Sequence, residues 1–151
     1  MTRAYAQGTS VPVSRSRDEI EQLFTRYGAT KFLTGWDNEN ASIMCEAKGR
    51  KLRFVLPIPD PNHKMFVGSA DKRAAAAKAE ERRRWRALVL VLKAKLEAVA
   101  SGISTFDEEF LANIIVPGGK TFGEWAIPEL AQAYARGVAM PPLLGNGNGA
   151  P

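Results

Sequence analysis

Hydrophobic and polar positions recur with two different periods along this chain, and the switch between them predicts its elements. Ile20, Leu23, Phe24 and Tyr27 stand at i, i+3, i+4 and i+7, one face of a helix. Ser16 and Glu19 just ahead have capping-box spacing, a hydroxyl and a carboxylate for the first free amides. Gly28 suits the left-handed position after the last turn. From Lys31 the period falls to two. Lys31–Trp36 and Ala41–Ala47 flank the turn-forming Asp37–Asn40, rich in residues that bond their own backbone. After a second turn at Lys48–Arg50, the run from Lys51 to Ile58 sets Leu52, Phe54, Leu56 and Ile58 on one face, and Lys51, Arg53 and Val55 on the other. That alternation marks a half-buried strand. The three runs predict an antiparallel meander with its Leu52/Phe54/Leu56 face against helices.

Pro57, Pro59 and Pro61 break regular structure, so a loop holding His63 is expected as far as about Ala70. Asp71–Ala100 then reads as one long helix with Trp85, Leu88, Val89, Leu92, Leu96 and Val99 on its apolar face. Its 30 residues would span about 45 Å, more than a domain of this size needs. Asp71–Arg84 is therefore expected to project or lie on the surface, and Trp85–Val99 to enter the core, with Gly102 ending the helix. Thr105 with Glu108 and Thr121 with Glu124 form two further capping boxes. Pro128 is expected to end the turn that Thr121 opens, or to start a new one. Leu130 and Tyr134 continue an apolar face to Gly137. The expected fold is α+β: an N-terminal helix, a three-stranded meander, a long basic helix and short C-terminal helices. Residues 1–14 read as an arm, 15–138 as a single domain, and 139–151 as a Pro/Gly-rich tail.

With 151 residues, 45% hydrophobic and 25% charged, one globular domain is expected. No apolar run reaches the roughly 18 residues that span a bilayer. The longest, Ala87–Leu92, sits between Arg86 and Lys93, and the N-terminus lacks an apolar stretch, so no membrane partner is expected and the cytosol is the default. The single cysteine, Cys45, excludes an intrachain disulfide and reads as a small buried hydrophobe. Net charge is +5, which favours polyanionic partners. The charge is concentrated: Lys72–Lys95 holds nine basic residues against two acidic ones, while Ser104–Arg136 holds five acids against two bases.

Catalytic chemistry finds little to stand on. Gly118-Gly119-Lys120-Thr121 lacks the earlier glycine of a phosphate-binding loop, since Ile114 occupies that position, and Thr121 is better used as a cap. Asp107, Glu108 and Glu109 occupy a first helical turn, which the macrodipole favours. His63 is the only histidine and has no second metal ligand at a useful spacing. No catalytic residue, metal or cofactor is expected, and the chain does not read as an enzyme. The basic helix stands out instead. Lys78, Arg82, Arg86 and Lys93 fall near one stripe, flanked by Arg83 and Arg84, and arginine forks match phosphate oxygens. Arg50, Lys51 and Arg53, taken as the outer sheet face, are secondary candidates. Trp36, Trp85 and Phe66 could stack on bases, although the apolar stripe claims Trp85 for the core. The competing reading is a solvated helix face with Glu80 and Glu81 paired to the arginines.

Ser16–Ala29, Arg53–Pro59, Arg83–Val99, Phe106–Pro117 and Ala139–Leu144 together resemble a family of small phage and prophage proteins. The resemblance implies context rather than mechanism: a cytoplasmic protein of a bacterial host cell, handling DNA or blocking a host enzyme. Two expectations follow. One is sequence-independent binding of nucleic acid, single-stranded DNA in particular, as an accessory of replication or recombination. The other is a protein-binding adaptor or inhibitor of a host or phage enzyme, using the basic helix or the meander edge.

Overall fold

The computed structural model of the chain describes Ala6 and residues 8–140; most of the expected arm before Gly8 and the expected tail from 141 lie outside the described residues. The chain runs α1 (Val13–Arg26), β1 (Lys31–Trp36), β2 (Asn40–Ala47), β3 (Arg50–Pro57), α2 (Ala70–Ala100), α3 (Phe106–Phe110), a 3-10 turn (Leu111–Asn113) and α4 (Phe122–Arg136). This is the α+β class that the periodicity predicts. The strands form one antiparallel sheet in the order β1-β2-β3.

Local chemistry sets the two hairpins. Asp37 Oδ1 accepts from the amides of Glu39 and Asn40 at 2.8 and 2.7 Å, closing the first turn. The second places Lys48 and Gly49 at φ +52° and +71°, the doubly left-handed turn whose twist matches the strands it joins. The register then aligns Phe32, Cys45 and Leu52 in one inward row, and Thr34, Ile43 and Phe54 in the next. Ile43, Cys45, Leu52 and Phe54 are buried there beneath Ile20, Leu23 and Phe24 of α1 and Trp85, Val89, Leu92 and Leu96 of α2. Phe24 lies 5.7 Å from Phe54 and 5.8 Å from Phe110, ring centre to ring centre, so one aromatic cluster joins sheet, α1 and α3. The core section of α2 is Trp85–Val99, as its apolar face predicts. Glu80–Arg84 are half-buried along the surface, and Ala77 is buried outside the main cluster.

Three expectations need correction. α1 starts at Val13, after Pro12 at φ −62°, so Ser16 is not a cap. It sits inside the helix, fully buried, and Glu19 reaches α2 instead. Pro12 supplies the start because its ring presets a φ close to the helical one. Pro128 neither ends nor starts a helix but lies within α4. The carbonyl deprived of a donor there is that of Glu124, an exposed residue in the first turn, which limits the cost. Arg50 does not share the outer face with Lys51 and Arg53. It stands opposite the buried Ala47, on the parity of Leu52, and turns to α3. The capping boxes at Thr105/Glu108 and Thr121/Glu124 are both present. Cys45 is buried, and burial pushes its thiol up to about 12, the behaviour of an inert core residue.

Replacing Phe24 by alanine is expected to cost about 3–5 kcal/mol in urea unfolding, as for a large aromatic removed from a core. Trp36→Ala, at the 82% exposed end of β1, should stay within about 0.5 kcal/mol of the parent.

Candidate nucleic-acid interface

The basic residues of α2 divide into those held by the protein's own carboxylates and those left open. Glu80, one turn before the arginine run, accepts from Arg83 Nε and Nη2 at 2.8 and 2.7 Å and from Arg84 Nε at 2.8 Å. Arg84 Nη1 also donates to the Pro57 carbonyl at 2.8 Å, which ties α2 to the end of β3. Glu19 of α1 accepts from Arg86 and, at 3.0 Å, from Lys93 Nζ. Lys95 Nζ donates to the Glu109 carbonyl at 2.8 Å. These are half-buried contacts, and the two glutamates carry their mark. Hydrogen bonds from Arg83 and Arg84 outweigh burial and hold the Glu80 carboxyl at about 2. Arg86, with Lys93, does the same for Glu19, also at about 2.

The secondary candidates are largely held as well. Arg50 forms a fork with Asp107, Nε to Oδ1 at 3.1 Å and Nη2 to Oδ2 at 3.0 Å, about half exposed on both sides. Arg53 Nη2 reaches Glu124 at 2.9 Å and the Gly119 carbonyl at 3.0 Å. Of the eight basic residues that the sequence singles out, Arg50, Arg53, Arg83, Arg84 and Arg86 are therefore engaged. Lys51, Lys78 and Arg82 have no ion-pair partner among the described residues. Lys78 and Arg82 stand at i and i+4, on one side of the helix.

The aromatic candidates separate in the same way. Trp85 is 2% exposed and belongs to the core. Phe66 is half-buried in the proline loop, beside His63. Trp36 is open to solvent. By register it follows the core-facing row of Thr34, opposite Ala41. Between this end of the sheet, α1 and α2 lies a cavity of about 390 Å³ whose lining includes Arg17, Trp36, Asp37, Glu81 and Trp85. Lys78 precedes Glu81 by three residues and Arg82 precedes Trp85 by three, so the open cations stand one helical turn from the cavity wall. Arg17 was not legible as a site residue. It lies three residues before Ile20, the first periodic position of α1, and only the fold carries its guanidinium to 5.4 Å from the Trp85 ring centre.

No group of histidine, cysteine and acidic residues able to hold a metal occurs among the described residues. No helix there is long and apolar enough to cross a membrane. Asp107, Glu108 and Glu109, the acid cluster of the sequence, are divided among Arg50, the Thr105 cap and Lys95.

Glu19 and Glu80 ionise in the folded state well below their ordinary 4.5. A lowered carboxylate adds stability above its unfolded value and loses it as pH falls through the folded one. Stability should thus decline from pH 4.5 down to about 2. A Glu19→Gln/Glu80→Gln variant should lose about 1–3 kcal/mol at neutral pH and show a shallower acid dependence by urea titration. No protein-family model, curated protein or solved structure matches this chain.

Proposed function

We propose that the chain is a non-catalytic nucleic-acid-binding accessory protein that engages single-stranded DNA across the open stretch of α2 and the exposed end of β1. In the phage or prophage setting that the sequence resembles, it serves replication or recombination inside the host cell. The observation that carries this reading is the exposed indole of Trp36 beside a cavity whose α2 wall is Glu81 and Trp85, with the uncompensated Lys78 and Arg82 one helical turn before them. A cationic track beside an aromatic platform is the arrangement that holds a flexible strand, its phosphates by charge and its bases by stacking. The paired arginines are structural in this reading, and Lys78 and Arg82 make the phosphate contacts.

One set of observations favours a second reading, an adaptor or inhibitor that docks on a protein. β1 is an edge strand, and Leu33, Met44 and Val55 are exposed on the outer sheet face, features that accept an added strand or an apolar partner surface.

Fluorescence anisotropy of a labelled oligo-dT strand and of a duplex, across a salt series, separates the two. The single strand should bind more tightly than the duplex. Lys78→Ala/Arg82→Ala should weaken its binding about tenfold and flatten the log–log salt slope by about 1.4, the value for two single-strand phosphates. Arg50→Ala should leave binding unchanged. Background-level binding of both oligonucleotides by the folded protein would remove the nucleic-acid reading and leave the adaptor.

A further inference from the structure

The cavity at the end of the sheet is more than a gap beside a platform, because its walls hold polar groups with nothing to bond. Trp85 is 2% exposed, and its indole N–H has no partner among the described residues. The same holds for Arg17 Nε, on the guanidinium stacked over the Trp85 ring. Both atoms are shut off from solvent, so a ligand in the cavity meets the outer nitrogens of the Arg17 guanidinium instead, which make no hydrogen bond among the described residues. Glu81 faces the same space and makes no hydrogen bond or ion pair among the described residues, although Arg17 shares the wall. Asp37, also in the wall, has one oxygen turned to the amides of Glu39 and Asn40. Trp36 supplies an exposed flat face.

The lining narrows the ligand. Two carboxylates, Glu81 and Asp37, stand against one guanidinium, Arg17, so a phosphate is disfavoured inside and belongs outside, at Lys78 and Arg82. A neutral planar group that stacks on Trp36 and presents donors and an acceptor along one edge fits the open groups. A nucleobase is such a group, and an unstacked base in a protein pocket is held by stacking and by hydrogen bonds along that edge. Among the bases, guanine alone sets two N–H donors side by side next to a carbonyl acceptor. The paired donors match the fork of one carboxylate, Glu81, and the carbonyl matches the outer nitrogens of the Arg17 guanidinium. We propose that this cavity is a base-specific pocket that takes one unpaired guanine of a bound strand, stacked on Trp36 and read by Glu81 and Arg17.

This inference rests on the single-strand reading above and sharpens it from sequence-independent binding to a preference at one position. It is tested with four oligo-dT strands that differ only in the central base (G, A, C or T), with tryptophan fluorescence and anisotropy read together. The strand with central G should bind about tenfold more tightly than the others, the discrimination of one good bidentate pair, and should quench the Trp36 emission. Glu81→Gln should erase the advantage of G while keeping the salt slope, because it touches no phosphate. Trp36→Ala should abolish the quenching and weaken all four strands, and Trp36→Phe should restore binding in part. Equal affinity for the four strands, or a preference for G that survives Glu81→Gln, overturns the pocket. In either case, binding that still depends on Lys78 and Arg82 leaves the single-strand reading intact. Failure of all four strands to bind overturns both.

Discussion

Glu19 of α1 accepts from Arg86 and from Lys93, two turns apart on α2, and this one carboxylate holds α1 along the long helix. The packing beneath depends on that alignment. Ile20, Leu23 and Phe24 follow on the same helix and enter the core with the apolar stripe of α2, Phe24 against Phe54 and Phe110. Glu80 repeats the device at the other end of the apolar stripe, fixing Arg83 and Arg84 and, through Arg84, the carbonyl of Pro57. Half-buried charge in this position is worth more for where it holds the helix than for its Coulomb energy, since desolvation opposes the attraction.

The same pairs decide what the basic helix can offer a partner. A net charge of +7 from Lys72 to Lys95 suggests a continuous cationic face, but charge count is not charge availability. With Arg83, Arg84 and Arg86 held, and Lys93 and Lys95 beside them, the open part shrinks to the outer half of the helix. There Lys78 and Arg82 stand one turn before Glu81 and Trp85, which line the cavity at the end of the sheet. The functional surface thus moves from the length of α2 to the corner that it shares with β1 and the start of α1.

How much of this was legible follows from the range of each interaction. Strand alternation, two capping boxes and the apolar stripe of α2 are local patterns, and they gave the meander and the helices nearly at their observed limits. The pairing of Glu80 with Arg83 and Arg84 is also local, at i+3 and i+4, and was foreseeable as the competing reading of the arginine run. Arg86 with Glu19 is separated by 67 residues and Arg50 with Asp107 by 57, so only the fold could show that these cations are engaged. Ser16 misled because a capping box and a mid-helix serine have the same spelling. Pro128 misled because a proline near a helix start, with an exposed carbonyl behind it, is tolerated. The cavity was half legible: Trp36 stood out as an aromatic at a strand end, but Glu81 read as a partner of the arginines, whereas Glu80 alone takes them, and Arg17 carried no local pattern that set it apart.

The division of the guanidinium groups into held and open is the claim on which the rest turns, and it can be read directly from the arginine Nε–H resonances in nitrogen-15 spectra as a single strand is added. Arg83 and Arg84, whose Nε–H groups donate to Glu80, should exchange slowly with water in the free protein, and they and Arg86 should keep their positions throughout, while Arg82 and Arg17 move. Movement of Arg83, Arg84 and Arg86 with Arg82 unaffected would contradict the account, because it would mean that the carboxylates release those side chains to the ligand.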